Sequence, residues 1–366
     1  MVATAAVSGD PVEIPVILPL TGGGAQIGQA DQQGFQVLEK FVNDAGGIKG
    51  RPVKFTFFDD QTTPQVSVQL FNQAAARGAQ VVLGGGISAM CKATMPLAVA
   101  KGPVLYCLSP AVRPARDGYT FSGNIHPVDL SAAAFRFFSK RGWKKIALLL
   151  STDASGQEVD SNMDALMARP EMRGLEIVAR EHFAPGDVSV NAQVSKIEAA
   201  HPQAILIWAG TGIPVALHSL SDSGNKLPVA TSNSLMLYSS MAQFASILPN
   251  QLYFPAPKWA AYPAIGAGPV KDMLDQYFRA FKAAGIQPDQ GQNIAWDPGL
   301  IVVNALRKLG PDAKAAQIRD EIASVHNFAG ANGFYDFRTG DQRGLNPNDT
   351  IVTQWVPAKK TWVLVK

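Results

Sequence analysis

The feature that most constrains this chain is a strand-then-helix rhythm that fills most of its length and restarts once. Strand-like stretches fall at 12–20, 53–59, 81–84, 104–108, 146–150, 175–183, 204–208, 228–231 and 252–254. Segments of helical period lie between them. Phe35, Leu38, Phe41 and Val42 share one helical face, as do Val66, Leu70 and Ala74, and again Val190, Val194 and Ile197. Thr63-Pro64 reads as a helix start, a capping hydroxyl followed by proline at the first helical position. Alternation of this kind predicts an α/β chain with doubly wound parallel sheets and helices on both faces.

The first set of β-α units ends near Leu108 and is followed by a turn-rich stretch, 109–124. The second set opens with a helix near 130–141. After helices around 271–284 and 296–309, the tail carries Phe334-Tyr335-Asp336-Phe337-Arg338 and a pair of alternating strands. Asn332-Gly333 and Thr339-Gly340-Asp341 are its turn signals. A chain of 366 residues exceeds one typical domain and suits two such units. Two lobes with a ligand cleft at their junction are therefore expected. Trp259, Tyr262 and Trp296 are candidates to line that cleft, with core or rim packing favoured for Trp296 at a helix start before Asp297-Pro298.

Composition narrows the function classes. With 47% hydrophobic and 17% charged residues, the chain can bury substantial cores and is not disordered. Its net charge is +3, and the group Arg141, Lys144 and Lys145 reads as a solvated helix end, so no nucleic-acid partner is expected. The longest apolar runs, such as 146–150, are strand-sized and fall well short of the ~20 residues of a membrane span. The opening ten residues have neither a charged n-region nor an apolar h-region, so no leader peptide is read there; a mature start behind a removed leader and a cytosolic start both stay open. Cys91 and Cys107 could form a disulfide, although a pair of buried free thiols is the commoner state. No Cys/His spacing points to a metal, and no cofactor is expected.

Two glycine-rich turns are candidates for chemistry. Glycines 22, 23, 24 and 28 follow the first strand, but a dinucleotide loop needs G-x-G-x-x-G, and Ile27 stands where its last glycine belongs. A flexible rim loop is expected instead. The segment Gly84-Gly85-Gly86-Ile87-Ser88-Ala89-Met90 leaves a strand and enters a helix, where free N–H groups and the Ser88 hydroxyl suit an anion. Plain N-capping by Ser88 is the bland alternative. A hydrolase nucleophile elbow, G-x-S-x-G, is the sharp one, and it fails at Met90, which would crowd the tight turn. None of the histidines 126, 182, 201, 218 and 326 pairs with an acid at a telling spacing, so no catalytic residue is assigned. Arg113 or Arg116, in the loop after the fourth strand, has the fork geometry to take a carboxylate.

Taken in order, Pro19-Leu20-Thr21-Gly22, Asn43-Asp44-Ala45-Gly46-Gly47-Ile48-Lys49-Gly50, Phe58-Asp59-Asp60-Gln61, Thr63-Pro64, the 84–88 turn, Ser109-Pro110-Ala111 and the 335–341 stretch resemble the type I periplasmic binding fold. The likeness is to the leucine/isoleucine/valine-binding family of ABC-importer receptors and spans nearly the whole chain. It implies two lobes joined by three crossovers, one of residues 11–126 with 257–337 and the other of 127–256 with 338–366. It also implies a periplasmic, monomeric receptor that captures a ligand by hinge closure and hands it to a membrane permease. By the same resemblance, Ser88 and the neighbouring Ala89 backbone bind the ligand carboxylate, and Ala111 offers a carbonyl. Ile27, Ser155 and Thr211 contact the ligand, and Asn233 lies in the stretch where amino-acid binders keep an acid. That stretch, Thr231-Ser232-Asn233-Ser234, has no carboxylate here. A buried ammonium would lack its partner, and Arg113 would repel it, so the expected ligand is a carboxylate without an amine, of the benzoate or hydroxycinnamate kind. A branched-chain or other amino acid, a sensing role on the same fold, and a Ser88 hydrolase remain the alternatives.

Overall fold

The computed structural model describes residues 7–365; the first six residues, which bear on the reading of the chain's start, and Lys366, the expected end of the second lobe, lie outside them. In chain order the strands are β1 (Val12–Leu18), β2 (Val53–Asp59), β3 (Val81–Gly84), β4 (Val104–Cys107), β5 (Thr120–Ser122), β6 (Lys145–Ser151), β7 (Glu176–Phe183), β8 (Ala204–Trp208), β9 (Val229–Thr231), β10 (Leu252–Ala256), β11 (Phe328–Ala329), β12 (Phe334–Tyr335), β13 (Ile351–Val356) and β14 (Thr361–Leu364). The helices are α1 (Ala25–Asp44), α2 (Pro64–Ala76), α3 (Ser88–Thr94), α4 (Pro127–Lys140), α5 (Ala154–Met167), α6 (Asn191–Ala199), α7 (Ile213–Asp222), α8 (Tyr238–Gln243), α9 (Pro269–Ala283), α10 (Gln290–Leu309) and α11 (Ala315–Ser324).

The chain divides into two units, 1–124 with 266–346 and 125–265 with 347–366, and passes from one to the other three times. In the first unit a parallel sheet has the order β2-β1-β3-β4-β5. In the second, β7-β6-β8-β9-β10 repeats that order in parallel, and the hairpin β13–β14 adds to the β10 edge antiparallel. The apolar runs that read as strands are the buried centres of these sheets: every residue of β3, β4 and β8 is buried. Chain order jumps outward from β1 and β3 in one sheet and from β6 and β8 in the other. Loops after the strand C-termini diverge there and leave a crevice within each unit.

Four sequence readings need correction. β5 was hidden in the stretch read as turns, because a three-residue strand is too short to show periodicity. α10 begins at Gln290, not near Trp296. Asp289 and Gln292 form a capping box there, and Pro298 lies inside the helix rather than at its start. Trp296 is fully buried against Phe41, Tyr277 and Phe281, with ring centroids 5.1, 5.1 and 5.7 Å away. Trp259 is buried too, packed 6.3 Å from the Trp362 ring within the second unit.

The third correction concerns the tail. Residues 338–346 belong to the first unit, since the Gln342 carbonyl accepts from Ser122 N and its side chain donates to the carbonyls of Gly118 and Thr120. The segment after β10 stays with the second unit, anchored by Lys258 paired with Asp349 and by Trp259 against β14. The fourth is covalent. Cys91 and Cys107 form a disulfide, with Cα atoms 6.0 Å apart, because α3 packs its inward face over the end of β4.

Candidate functional site

The first unit builds its crevice from the loops after β1, β3 and β4. Asp59, at the end of β2, holds the first of these. Its carboxylate accepts from Leu20 N at 2.9 Å, Thr21 N at 3.1 Å and the Thr21 hydroxyl at 2.6 Å. The Thr62 hydroxyl donates to Thr21 O at 2.7 Å and accepts from Gly24 N at 3.0 Å. The glycine turn expected to be a flexible rim is thus tied down along its length. Desolvation pushes the Asp59 carboxyl up, but hydrogen bonds from the Thr21 hydroxyl and from the backbone of Gln61, Thr21 and Leu20 outweigh it and hold the group below its ordinary value. Thr63 precedes α2 as foreseen, yet its hydroxyl donates back to Gln61 O at 3.2 Å instead of capping the helix.

Ser88 is the first residue of α3, and Ile87 occupies the cap position, so the Ser88 side chain does not cap. Its hydroxyl meets the Ser109 hydroxyl at 2.6 Å, both residues being buried. Ser109, two residues beyond β4, is fixed through its carbonyl, which accepts from Ser122 Oγ at 3.0 Å. Each hydroxyl carries one proton and two lone pairs. When one donates to the other, the receiving oxygen keeps its own proton for a third group. Ala111 is fully buried on the same loop, Ala89 and Arg113 are exposed, and Ile27 is half-buried in the first turn of α1. An activated serine would need a base on its hydroxyl. Here the bonded partner of Ser88 is another serine.

Behind the 84–88 turn lies a group the sequence did not flag. Asp31 of α1 is fully buried, its carboxyl oxygens have no hydrogen-bond partner among the described residues, and a side chain at Gly86 would come within 2.8 Å of it. Burial, and next the charge of Asp289, push its carboxyl well above the ordinary range.

The second unit builds the corresponding crevice after β6, β8 and β9, and one carboxylate organises it. Asp153 caps α5: its Oδ1 accepts from Ser155 N at 2.9 Å and Gly156 N at 2.8 Å. Its Oδ2 accepts from Gly210 N at 2.9 Å and Thr211 N at 3.1 Å. The loops that carry Ser155 and Thr211 are therefore pinned to the same side chain. Gly156 is obligatory, since a Cβ there would sit 1.9 Å from the Ser151 carbonyl oxygen. Ser155 Oγ accepts from Trp208 Nε1 at 3.3 Å. After β9, the Ser232 and Ser234 hydroxyls both donate to Ala209 O, at 2.7 and 3.1 Å, and hold Asn233 in a buried turn.

Of the expected contacts, Ser88, Ala89, Ala111, Arg113 and Ile27 fall in the first unit, and Ser155, Thr211 and Asn233 in the second. Asp153, Asp59 and the Ser109 hydroxyl were missed as site-builders. Two histidines also have acidic neighbours that their spacing concealed: His126 lies 3.0 Å from Glu158 and His182 lies 3.0 Å from Asp160.

A family model described as "Periplasmic binding protein" matches residues 11–360. The chain belongs to that family. Within it, similarity runs to the leucine/isoleucine/valine-binding branch of the type I fold. The chain is 26% identical over 204 residues to Leu/Ile/Val-binding protein homolog 3 of Brucella melitensis, which covers 53% of each. It is 24% identical over 206 residues to the leucine-, isoleucine-, valine-, threonine-, and alanine-binding protein of Pseudomonas aeruginosa, covering 55% of this chain and 54% of that one. The matched stretch thus spans about half the length of these curated relatives. Among solved structures, an extracellular ligand-binding receptor from Rhodopseudomonas palustris HaA2 shares the fold with a TM-score of 0.84 at 20% identity, over 98% of this chain and all of that one. The branched-chain amino acid binding protein LivJ of Streptococcus pneumoniae, solved with isoleucine, does so with a TM-score of 0.79 at 20% identity, over 98% of this chain and 100% of that one. Members of this family are extracytoplasmic solute-binding receptors, and no helix among the described residues is long and apolar enough to cross a membrane.

Proposed function

We propose that this protein is the periplasmic receptor of an ABC importer and captures a small organic carboxylate. The observation that carries the reading is the buried Ser88–Ser109 hydroxyl pair, 2.6 Å apart, at the crevice of the first sheet. Two reorientable hydroxyls, beside the N–H groups of Ser88 and Ala89 that open a helix, offer donors without a competing negative charge on the surface of the turn. In this reading Ile27, Ala111 and Arg113 of the first unit and Ser155, Thr211 and Asn233 of the second engage one ligand, and the chain acts as a monomer toward a membrane permease. The disulfide supports an oxidising compartment.

The names of the relatives favour an aliphatic amino acid, with leucine and isoleucine first. One observation favours a second reading, an amine-free carboxylate of the benzoate or hydroxycinnamate kind. The turn after β9 holds two serines and an asparagine but no acid, and both oxygens of Asp153 are taken by backbone donors. A desolvated ammonium would then rely on neutral acceptors alone. Calorimetric titration with leucine, isoleucine, benzoate and 4-hydroxycinnamate separates the two readings. Binding of either class without turnover supports the receptor, whereas labelling of Ser88 by a fluorophosphonate would turn the reading to a hydrolase.

A further inference from the structure

We infer that the Cys91–Cys107 disulfide is a positioning element for the Ser88–Ser109 pair, setting the ligand affinity of the first unit as well as its stability. The inference rests on the reading of that pair as the carboxylate seat. Its grounds are the covalent connectivity and the packing around it. Cys91 lies one helical turn beyond Ser88 on α3, and Cys107 lies two residues before Ser109 at the end of β4. The disulfide thus joins the two segments whose hydroxyls meet at 2.6 Å, close to that contact on both chains.

Besides the bridge, α3 is held by packing against α2. Seven residues are too few to be stable alone, so α3 keeps its position through tertiary contacts. The bridge sits in a small cluster with buried Val112, on the loop that also carries Ala111, and with partly buried Met95, which follows α3. Cys107 Sγ also contacts the Ser109 carbonyl at 3.6 Å. On the other side, Gly85 has φ +69°, and a Cβ there would come within 2.7 Å of Cys91 Cβ, so the turn is wrapped closely over the bridge. Loss of the bridge lets α3 shift relative to β4, and a shift of about 1 Å takes the hydroxyl contact out of hydrogen-bond range. Both cysteines are fully buried, so the bridge is protected from reductant while the unit is folded.

The test compares the whole chain with its Cys91→Ala/Cys107→Ala variant at a temperature where both are folded. If that variant does not fold, the better-filled Cys91→Ala/Cys107→Val replacement takes its place. Amide hydrogen exchange should speed up about tenfold or more in peptides covering 85–94 and 107–112, and not in those covering β1 and β2. Affinity for whichever of leucine or benzoate the wild type binds should fall about tenfold, equivalent to ~1.4 kcal/mol. The same cysteine replacement in a Ser88→Ala background should cost less than about twofold, because coupled residues are not additive. Unchanged exchange in 85–94 and 107–112, a uniform rise across the first unit, or equal affinity losses in both backgrounds would overturn the inference. If the wild type binds neither probe, the carboxylate reading falls, and the exchange pattern by itself decides whether the bridge positions Ser88 and Ser109.

Discussion

The two units share one strand order and hold their crevices by different means. In the first, the β1 loop hangs from Asp59 on a neighbouring strand, and the β3 and β4 loops are joined covalently and by a hydroxyl pair. In the second, Asp153 alone gathers backbone donors from the loops after β6 and β8. The first arrangement leaves one hydroxyl proton available to a ligand; the second consumes its carboxylate in structure. In the proposed function the first unit supplies the seat for an anion, and the second a preformed neutral surface.

That contrast can be broken at several points. The largest effect belongs to Asp153→Ala, which leaves four backbone N–H groups without an acceptor. It should cost ~3 kcal/mol or more of stability in the second unit, seen as an early chemical-denaturation transition, with the first unit's transition unmoved. Next comes Ser88→Ala, expected to weaken carboxylate binding by roughly ten- to a hundredfold, and to lower the melting temperature by a few degrees because the buried Ser109 hydroxyl loses its partner. An equal loss for a neutral ligand would show that the hydroxyl shapes the crevice instead of reading charge.

Asp31→Asn has a smaller effect and works in the opposite direction. The folded state binds the Asp31 proton above the pH at which the unfolded chain releases it. Stability is therefore present at low pH and lost as pH rises from the ordinary carboxyl range toward the raised folded value. At pH 7 the asparagine variant should melt higher, by about 2–4 °C for each ~1 kcal/mol gained in a unit of this size. Near pH 3 the two proteins should coincide, and a variant that melts lower at pH 7 would refute this account of Asp31. Asp59 works the other way. Its depressed carboxyl contributes stability above the unfolded value that is lost as pH falls through the folded one, so Asp59→Asn should matter at pH 7 and not in strong acid. The smallest effect is that of Arg113→Ala. The residue is exposed and engages the ligand only through a solvent-screened charge, so its removal should change affinity by less than about threefold, chiefly at low salt.

Much of this architecture was legible because burial in a parallel sheet imposes contiguous apolar runs. β2, β3 and β8 have the bounds their sequences predict. The Ser88 turn was legible as a candidate because glycine, serine and a following helix stand together in sequence. What escaped depends on contacts that no local pattern encodes. The four bonds of Asp153 reach residues 57 and 58 positions away as well as its immediate neighbours. The Ser109 hydroxyl acquires meaning only from the strand pairing that sets it beside Ser88. Pro298 misled the reading of α10, since proline is a helix-start signal and the chain tolerates it here inside a largely buried helix. The cysteine pair was readable only as a possibility, because sixteen residues of separation do not say which way α3 faces.

The most direct test of the central claim is a matched calorimetric titration of leucine against leucinamide, and of benzoate against benzamide. A seat that reads a carboxylate predicts that the acid of at least one pair binds one per chain and at least about a hundredfold more tightly than its amide. An amide that binds as tightly as its acid, or no binding by either acid, would contradict the account.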